Sequence, residues 1–275
     1  MTLRPLVLCA DDFALSPGVS RAIVELLERG RLSATSCMTV SRAWPEHARL
    51  LGPLAGHVDI GLHLTLTALE PLSCAPRLMV QNRLPGLGRL TRDAFLGRLD
   101  LHEIRTELTH QFDAFEQVWS APPDFVDGHQ HVHILPGIRD IVLELARSRA
   151  PRAYIRQCCD PLSWILRRGI AVPRATLIAA MSRPLARRLA DRRTNDSFRG
   201  VTSFRHHATY PQQFRRYLMG PGKRPLIMCH PGYMDDLLPR LDPVTHQRES
   251  EREYFLSPGF ATDVAAAGYR LARMA

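Results

Sequence analysis

The sequence predicts an α/β fold built as a barrel of parallel strands, and three observations carry that prediction. Short apolar runs alternate with amphipathic helical stretches along the whole chain, the pattern of repeated strand–helix units around a parallel sheet. Polar residues collect at the C-terminal ends of the strand-like runs: Asp11 and Asp12, His63, His129, Arg156 and His230. Parallel barrels assemble their active sites at that edge, from loops of several strands. An open doubly wound sheet is the competing architecture, but it usually shows a glycine-rich phosphate loop after the first strand, and none stands there.

The elements follow in order. Leu6-Val7-Leu8-Cys9-Ala10 is the continuous apolar run of a strand buried on both faces, and it ends in Asp11-Asp12. Ser16-Pro17 reads as N-cap and first helical residue. Val19, Ile23, Leu26 and Leu27 then make one stripe, and Gly30 closes the helix. Residues 34–40 form a second strand and a helix begins near Pro45. Residues 58–66 form a third strand, in which Gly61 permits close approach of backbone and His63 nears the strand end. Residues 69–99 have poor periodicity and are broken by Pro71, Pro76, Pro85, Gly86 and Gly88, so they read as an irregular excursion that could cover a substrate. Residues 101–119 are an amphipathic helix through Ile104, Leu108, Phe112 and Phe115.

Strand 124–127 leads into Gly128 and then His129, His131 and His133. Continued extended backbone would put the three imidazoles on one side, with Gln130 and Val132 on the other. A helix over 136–149, a strand over 153–156 and a basic helical region over 161–193 come next. Arg183, Arg187, Arg188, Arg192 and Arg193 crowd the end of that region; a solvated face is the favoured account, with an anionic ligand or membrane surface as the other. Residues 201–204 read as a sixth strand and 211–219 as a helix. Residues 225–229 are a buried seventh strand that runs into His230-Pro231-Gly232-Tyr233. The polar stretch 234–250 reads as a lid-like loop, before a last helix over 258–267 and a strand over 269–271.

A chain of 275 residues with 45% hydrophobic and 23% charged residues has ample core material, and it reads as one domain over residues 1–275 with excursions near 69–99 and 234–250. No apolar run reaches the roughly 18 residues of a membrane span, and the N-terminus does not have a signal-peptide pattern. Cys9, Cys37, Cys74, Cys158, Cys159 and Cys229 form no CxxC pair and read as thiols of a reducing, cytoplasmic compartment. The net charge of +9 reflects heavy use of arginine throughout and is a weak guide to partners. Basic residues are not interleaved with aromatics, which argues against nucleic acid. The partner expected is a small substrate; membrane-surface contact and a homodimer are left open.

The chemistry follows from the residue types. One aspartate and two histidines hold a divalent metal and leave positions open for water and a substrate oxygen. A second aspartate beside them can take the proton of that water, and a histidine across the site can protonate a leaving group. That set points to metal-assisted hydrolysis of an amide or ester; no GxSxG elbow supports a serine nucleophile. His131 and His133 compete with His129 as ligands or contact substrate, and Tyr233 either stacks on a sugar ring or is structural. Two imidazoles favour zinc on ligand softness.

Four ordered motifs resemble the YdjC (ChbG/HpnK-like) family of carbohydrate deacetylases: Ala10-Asp11-Asp12-Phe13, Gly61-Leu62-His63-Leu64-Thr65-Leu66, Asp127-Gly128-His129-Gln130-His131-Val132-His133 and Cys229-His230-Pro231-Gly232-Tyr233. The resemblance spans nearly the whole chain. It implies a deformed (β/α) barrel related to NodB-type polysaccharide deacetylases, removing acetyl from an N-acetylated sugar. It implies that Asp12, His63 and His129 hold one divalent metal, magnesium or zinc, with Asp11 as general base. By analogy with the wider superfamily His230 is the acid and Arg156 orients Asp11. Within the family the substrate is a chitooligosaccharide or a sugar-bearing hopanoid lipid, and a metal- and sugar-binding protein without catalysis is the reading from a different class. Ala14 stands where the family usually has glycine.

Overall fold

β1 (Arg4–Phe13) is the centre of the sheet, and its ten residues are long enough to serve three neighbours. The computed structural model describes residues 3–202 and 209–274. After β1 come α1 (Pro17–Glu28), β2 (Ala34–Cys37), α2 (Trp44–Leu51), β3 (Asp59–Leu64), α3 (Leu87–Phe95), α4 (Leu101–Trp119) and β4 (Phe125–Gly128). Then follow α5 (Ile138–Arg149), β5 (Tyr154–Ile155), α6 (Leu162–Arg168), α7 (Val172–Arg188), β6 (Ser197–Arg199), α8 (Tyr210–Tyr217), β7 (Pro225–Cys229), α9 (Leu238–Leu241), α10 (His246–Leu256), α11 (Pro258–Ala266) and β8 (Tyr269–Leu271).

All strand pairs are parallel, in the order β5-β4-β3-β2-β1-β7-β6. The first residues of β1 pair instead with β8, Arg4 opposite Tyr269, before β7 takes over at Val7. Among the described residues no ladder joins β5 to β6. The gap is spanned by the side-chain amide of Asn195, which pairs with the backbone of Gln157: Gln157 N–H donates to Asn195 Oδ1 (3.0 Å), and Asn195 Nδ2 donates to the Gln157 carbonyl (2.8 Å). Phe198 N–H adds a bond to the Cys159 carbonyl. The result is a deformed α/β barrel, as expected, with its irregularity at that seam.

Local sequence explains most elements. Ser16 caps α1 by accepting from Val19 N–H, and Val19, Ile23, Leu26 and Leu27 are buried. Asp100 caps α4, whose buried face carries Ile104, Leu108, Phe112 and Phe115. Each such side chain contributes about 1.5–3 kcal/mol by leaving water. Gly61 is required by packing: a Cβ there would lie 2.4 Å from the ring of Phe125, which stacks in turn on Tyr154.

Three expectations are corrected. The excursion 69–99 contains a helix, α3, whose buried Leu90 and Ala94 are obscured in sequence by flanking glycines. It is also anchored: buried Glu107 of α4 accepts from Leu72 N–H, Ser73 N–H and the Ser73 hydroxyl. The stretch 234–250 is no loop but carries α9 and the start of α10, which packs Tyr254 and Phe255 against Phe214 and Phe260. The sixth strand is Ser197–Arg199 rather than 201–204; Val201 and Thr202 are irregular, while Ser203 and Phe204 lie outside the described residues.

The N-terminal end of the barrel is closed by the C-terminal segment. Fully buried Asp59 accepts from Arg273 Nε (2.8 Å) and Met274 N–H (2.6 Å). Arg273→Met is expected to lower unfolding free energy by about 2–3 kcal/mol, the worth of a hydrogen bond to a buried charge. Urea unfolding checks this; a midpoint unchanged from wild type would remove Asp59 from the list of structural anchors.

Candidate active site

The site is made where β1, β3 and β4 end. Strict alternation would send Asp11 and Asp12 to opposite faces of the sheet. The β1–β2 register shifts between Ala10 and Phe13, and Asp12 takes a left-handed φ of 68°, so both carboxylates line one cavity. Ala14 follows at φ 73°, a conformation that glycine adopts without strain. His63 of β3 lies directly opposite Asp127 of β4 in register. Their side chains therefore meet, Nδ1 of His63 lying 2.7 Å from Asp127 Oδ1. That contact turns Nε2 of His63 toward Asp12 Oδ1, 3.4 Å away. His129 brings Nδ1 to 2.9 Å from the same oxygen.

Asp12, His63 and His129 thus offer three ligand atoms within 4.8 Å of one another. The donor set suits a divalent cation, and the carboxylate behind His63 is the kind of outer partner that orients a ligating imidazole. A second trio, Cys9, Asp11 and Asp127, also converges, but a guanidinium already serves it. Fully buried Arg156 donates from Nη1 and Nη2 to the two oxygens of Asp11 (2.7 and 2.6 Å). Its Nη2 also reaches Cys9 Sγ (3.0 Å) and lies 2.6 Å from Asp127 Oδ2.

Charge coupling here overrides burial. Burial pushes Asp11 upward, but Arg156 holds its carboxyl well below the usual range. Asp12 is likewise held low against burial by His129 and Arg248. Burial alone would drive His63 toward the neutral form; Asp127 and Asp12 reverse this and push it up to about 10. His131 is driven well below its usual value by burial, and His133 down to about 4 for the same reason.

The cavity, about 70 Å³, is lined by Asp11, Asp12, His63, His129, His131 and His230, among others. His230 is delivered by β7 and pinned from behind: its N–H donates to Glu251 Oε2 (2.6 Å). Asp235 ties the following turn to α1, accepting from Ser16 and from Gly18 N–H.

One sequence expectation fails. The three histidines do not continue a strand. Residues His129–Ile134 form a 3₁₀ turn, with Gln130 and His131 left-handed at φ 52° and 62°. Gln130 therefore lines the cavity with His129 and His131. His133 points away, fully buried, and its Nε2 donates to the Arg156 carbonyl. For Tyr233, open in sequence between a sugar contact and a structural role, the contacts favour the structural one. The guanidiniums of Arg21 and Arg252 lie over its ring at 4.2 and 4.1 Å, and its hydroxyl donates to Glu25. Sequence reasoning missed Arg248, whose Nη2 donates to Asp12 Oδ2 at 2.6 Å, and Asp242 beside it. Nothing local marks them, since they stand in a polar stretch without periodicity. It also gave Asp127 no role, although that residue opens the histidine motif.

The chain matches the model of the YdjC-like protein family over residues 5–266. It is 31% identical over 274 residues to a chitooligosaccharide deacetylase of Klebsiella pneumoniae (strain 342), covering 98% of this chain and 97% of that protein. A chitooligosaccharide deacetylase of Proteus mirabilis (strain HI4320) is 40% identical over 146 residues, 53% of this chain and 56% of that one. Among solved structures, an Enterococcus faecalis V583 protein whose description names cellobiose-phosphate cleavage superposes with a TM-score of 0.78 at 22% identity, covering 99% of this chain and 98% of that one. That likeness confirms the fold; the family match and the full-length relatives show that the chain belongs to the YdjC-like family.

Proposed function

We propose that this protein is a metal-dependent carbohydrate deacetylase that removes the acetyl group from an N-acetylated, chitooligosaccharide-like sugar. The observation that carries the reading is the ligand triangle of Asp12, His63 and His129 beside Asp11, in one small cavity with His230 on its wall. The names of the full-length relatives point the same way. A divalent ion in that triangle supplies Lewis-acid polarisation and a more acidic water, and two imidazoles favour zinc over magnesium.

The chain's own groups do the rest. Asp11 is ionised and aimed by the bidentate grip of Arg156, so it can take a proton from water. His230 protonates the departing nitrogen. His131 and Gln130 are the cavity residues placed to touch the acyl group or the sugar; His133 and Tyr233 are not proposed as substrate contacts. The cavity suits an acyl group, with the sugar rings held outside it.

A second reading, a sugar-bearing lipid, has one observation in its favour. Leu162, Leu166 and Leu177 stand 50%, 57% and 59% exposed on α6 and α7, the basic helical region of the chain. Among the described residues no helix is long and apolar enough to cross a membrane.

Acetate release from a panel of N-acetylglucosamine oligomers and lipid-linked N-acetyl sugars tests both readings. Oligomers are expected to be the better substrates, and preference for the lipids would favour the second. His129→Ala is expected to lose bound metal and activity together while keeping the fold, because His129 is a partly exposed ligand. Full activity in metal-depleted wild-type protein would sink the metal-dependent reading.

A further inference from the structure

The chemistry proposed above leaves a buried cation of the cavity wall, Arg248, without a task. Its side chain is 1% exposed. It is the third residue of α10, at the helix end where the backbone dipole disfavours positive charge. Burial and dipole both oppose that placement, and Asp12 and Asp242 offset them.

Three acceptors fix the guanidinium. Nε donates to the Val244 carbonyl at 3.0 Å, and Nη2 donates to Asp12 Oδ2 at 2.6 Å and Asp242 Oδ2 at 2.5 Å. Asp12 therefore turns one oxygen to the two imidazoles and the other to Arg248, which puts the guanidinium one carboxylate away from the ligand triangle. Nη1 is different: it is buried and has no hydrogen-bond partner among the described residues. Such an orphan donor ordinarily costs about 1–3 kcal/mol. Arg248 lines the cavity, and a donor on such a side chain, with its bond unmade until substrate arrives, is the arrangement that stabilises charge developing on an oxygen.

We infer that Arg248 is a catalytic residue whose Nη1 donates to the acyl oxygen of the substrate as negative charge builds there; this rests on the deacetylase reading. In the hydrolysis one water adds to the amide carbon and the C–N bond breaks. Asp11 takes one of the water's protons and His230 gives one to the nitrogen; the water's other proton passes from the new carboxyl to the amine and Asp11 returns its proton to His230, so the products are acetate and a protonated amine. Arg248 transfers no proton and keeps its charge throughout.

The test compares wild type with Arg248→Lys and with the charge-balanced pair Arg248→Met/Asp242→Asn. The readouts are kcat and KM for acetate release, zinc content, thermal unfolding and acetate affinity by calorimetry. Loss of an oxyanion donor is expected to lower kcat about 10²–10³-fold in the double variant, with KM and zinc content near wild type and acetate bound at least about tenfold more weakly. Lysine keeps the charge but presents a point donor, so Arg248→Lys is expected to recover only part of kcat. A double variant with kcat within about fivefold of wild type overturns the inference, as does a loss of kcat that tracks loss of zinc. Should the double variant not fold, Arg248→Lys decides: near-wild-type kcat and acetate affinity overturn it. If wild type releases no acetate from any sugar offered, the deacetylase reading fails; equal acetate affinities in wild type and variant then overturn the role of Arg248 as well.

Discussion

Asp11→Asn is expected to lower acetate release by about 10²–10⁴-fold, the range that general-base catalysis contributes, while the protein still binds its metal. The argument is geometric. Asp11 lies next to Asp12 in the cavity but is not a member of the ligand triangle. Both its oxygens are bridged by Arg156, which keeps the carboxyl ionised and oriented. An asparagine amide fills the same volume but cannot accept the water's proton. Arg156 retains Asp127 as a carboxylate partner, so the fold is expected to survive with reduced stability. Metal content by elemental analysis and acetate release from the same preparation check the claim. Near-wild-type turnover would assign the base elsewhere. If wild type itself binds metal and sugar but releases no acetate, the non-catalytic binding reading gains instead.

Arg156→Met is expected to have the largest effect on stability, a loss of about 3–5 kcal/mol, because it strands buried charge. Asp11 and Asp127 are 2% and 0% exposed, and both lean on this one guanidinium. Arg156→Lys should restore only part, since an ammonium cannot bridge both oxygens of Asp11. The pH dependence has a definite sign. Asp11 is held below its ordinary 3.8, so its pairing stabilises the protein fully above that value and is lost as pH falls through the depressed one. The gap between wild type and Arg156→Met is therefore expected to narrow in acid, as the Asp11 carboxylate protonates. Denaturant unfolding at neutral and acid pH measures it; a gap below about 1 kcal/mol at neutral pH would show that the carboxylates find other partners.

What the sequence by itself determined are the features whose cause is local. The run that became β7 and the stripe of α4 were legible to the residue, because burial on both faces and burial on one helical face each leave a period in the chain. Asp12, His63 and His129 stood out singly as polar side chains at strand ends, which have few structural reasons to be there, but only the resemblance to the YdjC family grouped them apart from His131 and His133. Tertiary structure alone decided the rest. The bulge at Asp11 and Asp12 exists only against β2, and the left-handed turn at Gln130 and His131 leaves no signature in those residue types. Extended backbone would turn His133 to the site; in the fold it holds the Arg156 carbonyl, 23 residues away. The residue type leaves Tyr233 open as sugar platform or structural residue; only the fold sets Arg21 and Arg252 over its ring. Arg248 reaches Asp12 across 236 residues. Buried ion pairs are set by partners that meet only when the chain folds, so neither periodicity nor propensity records them.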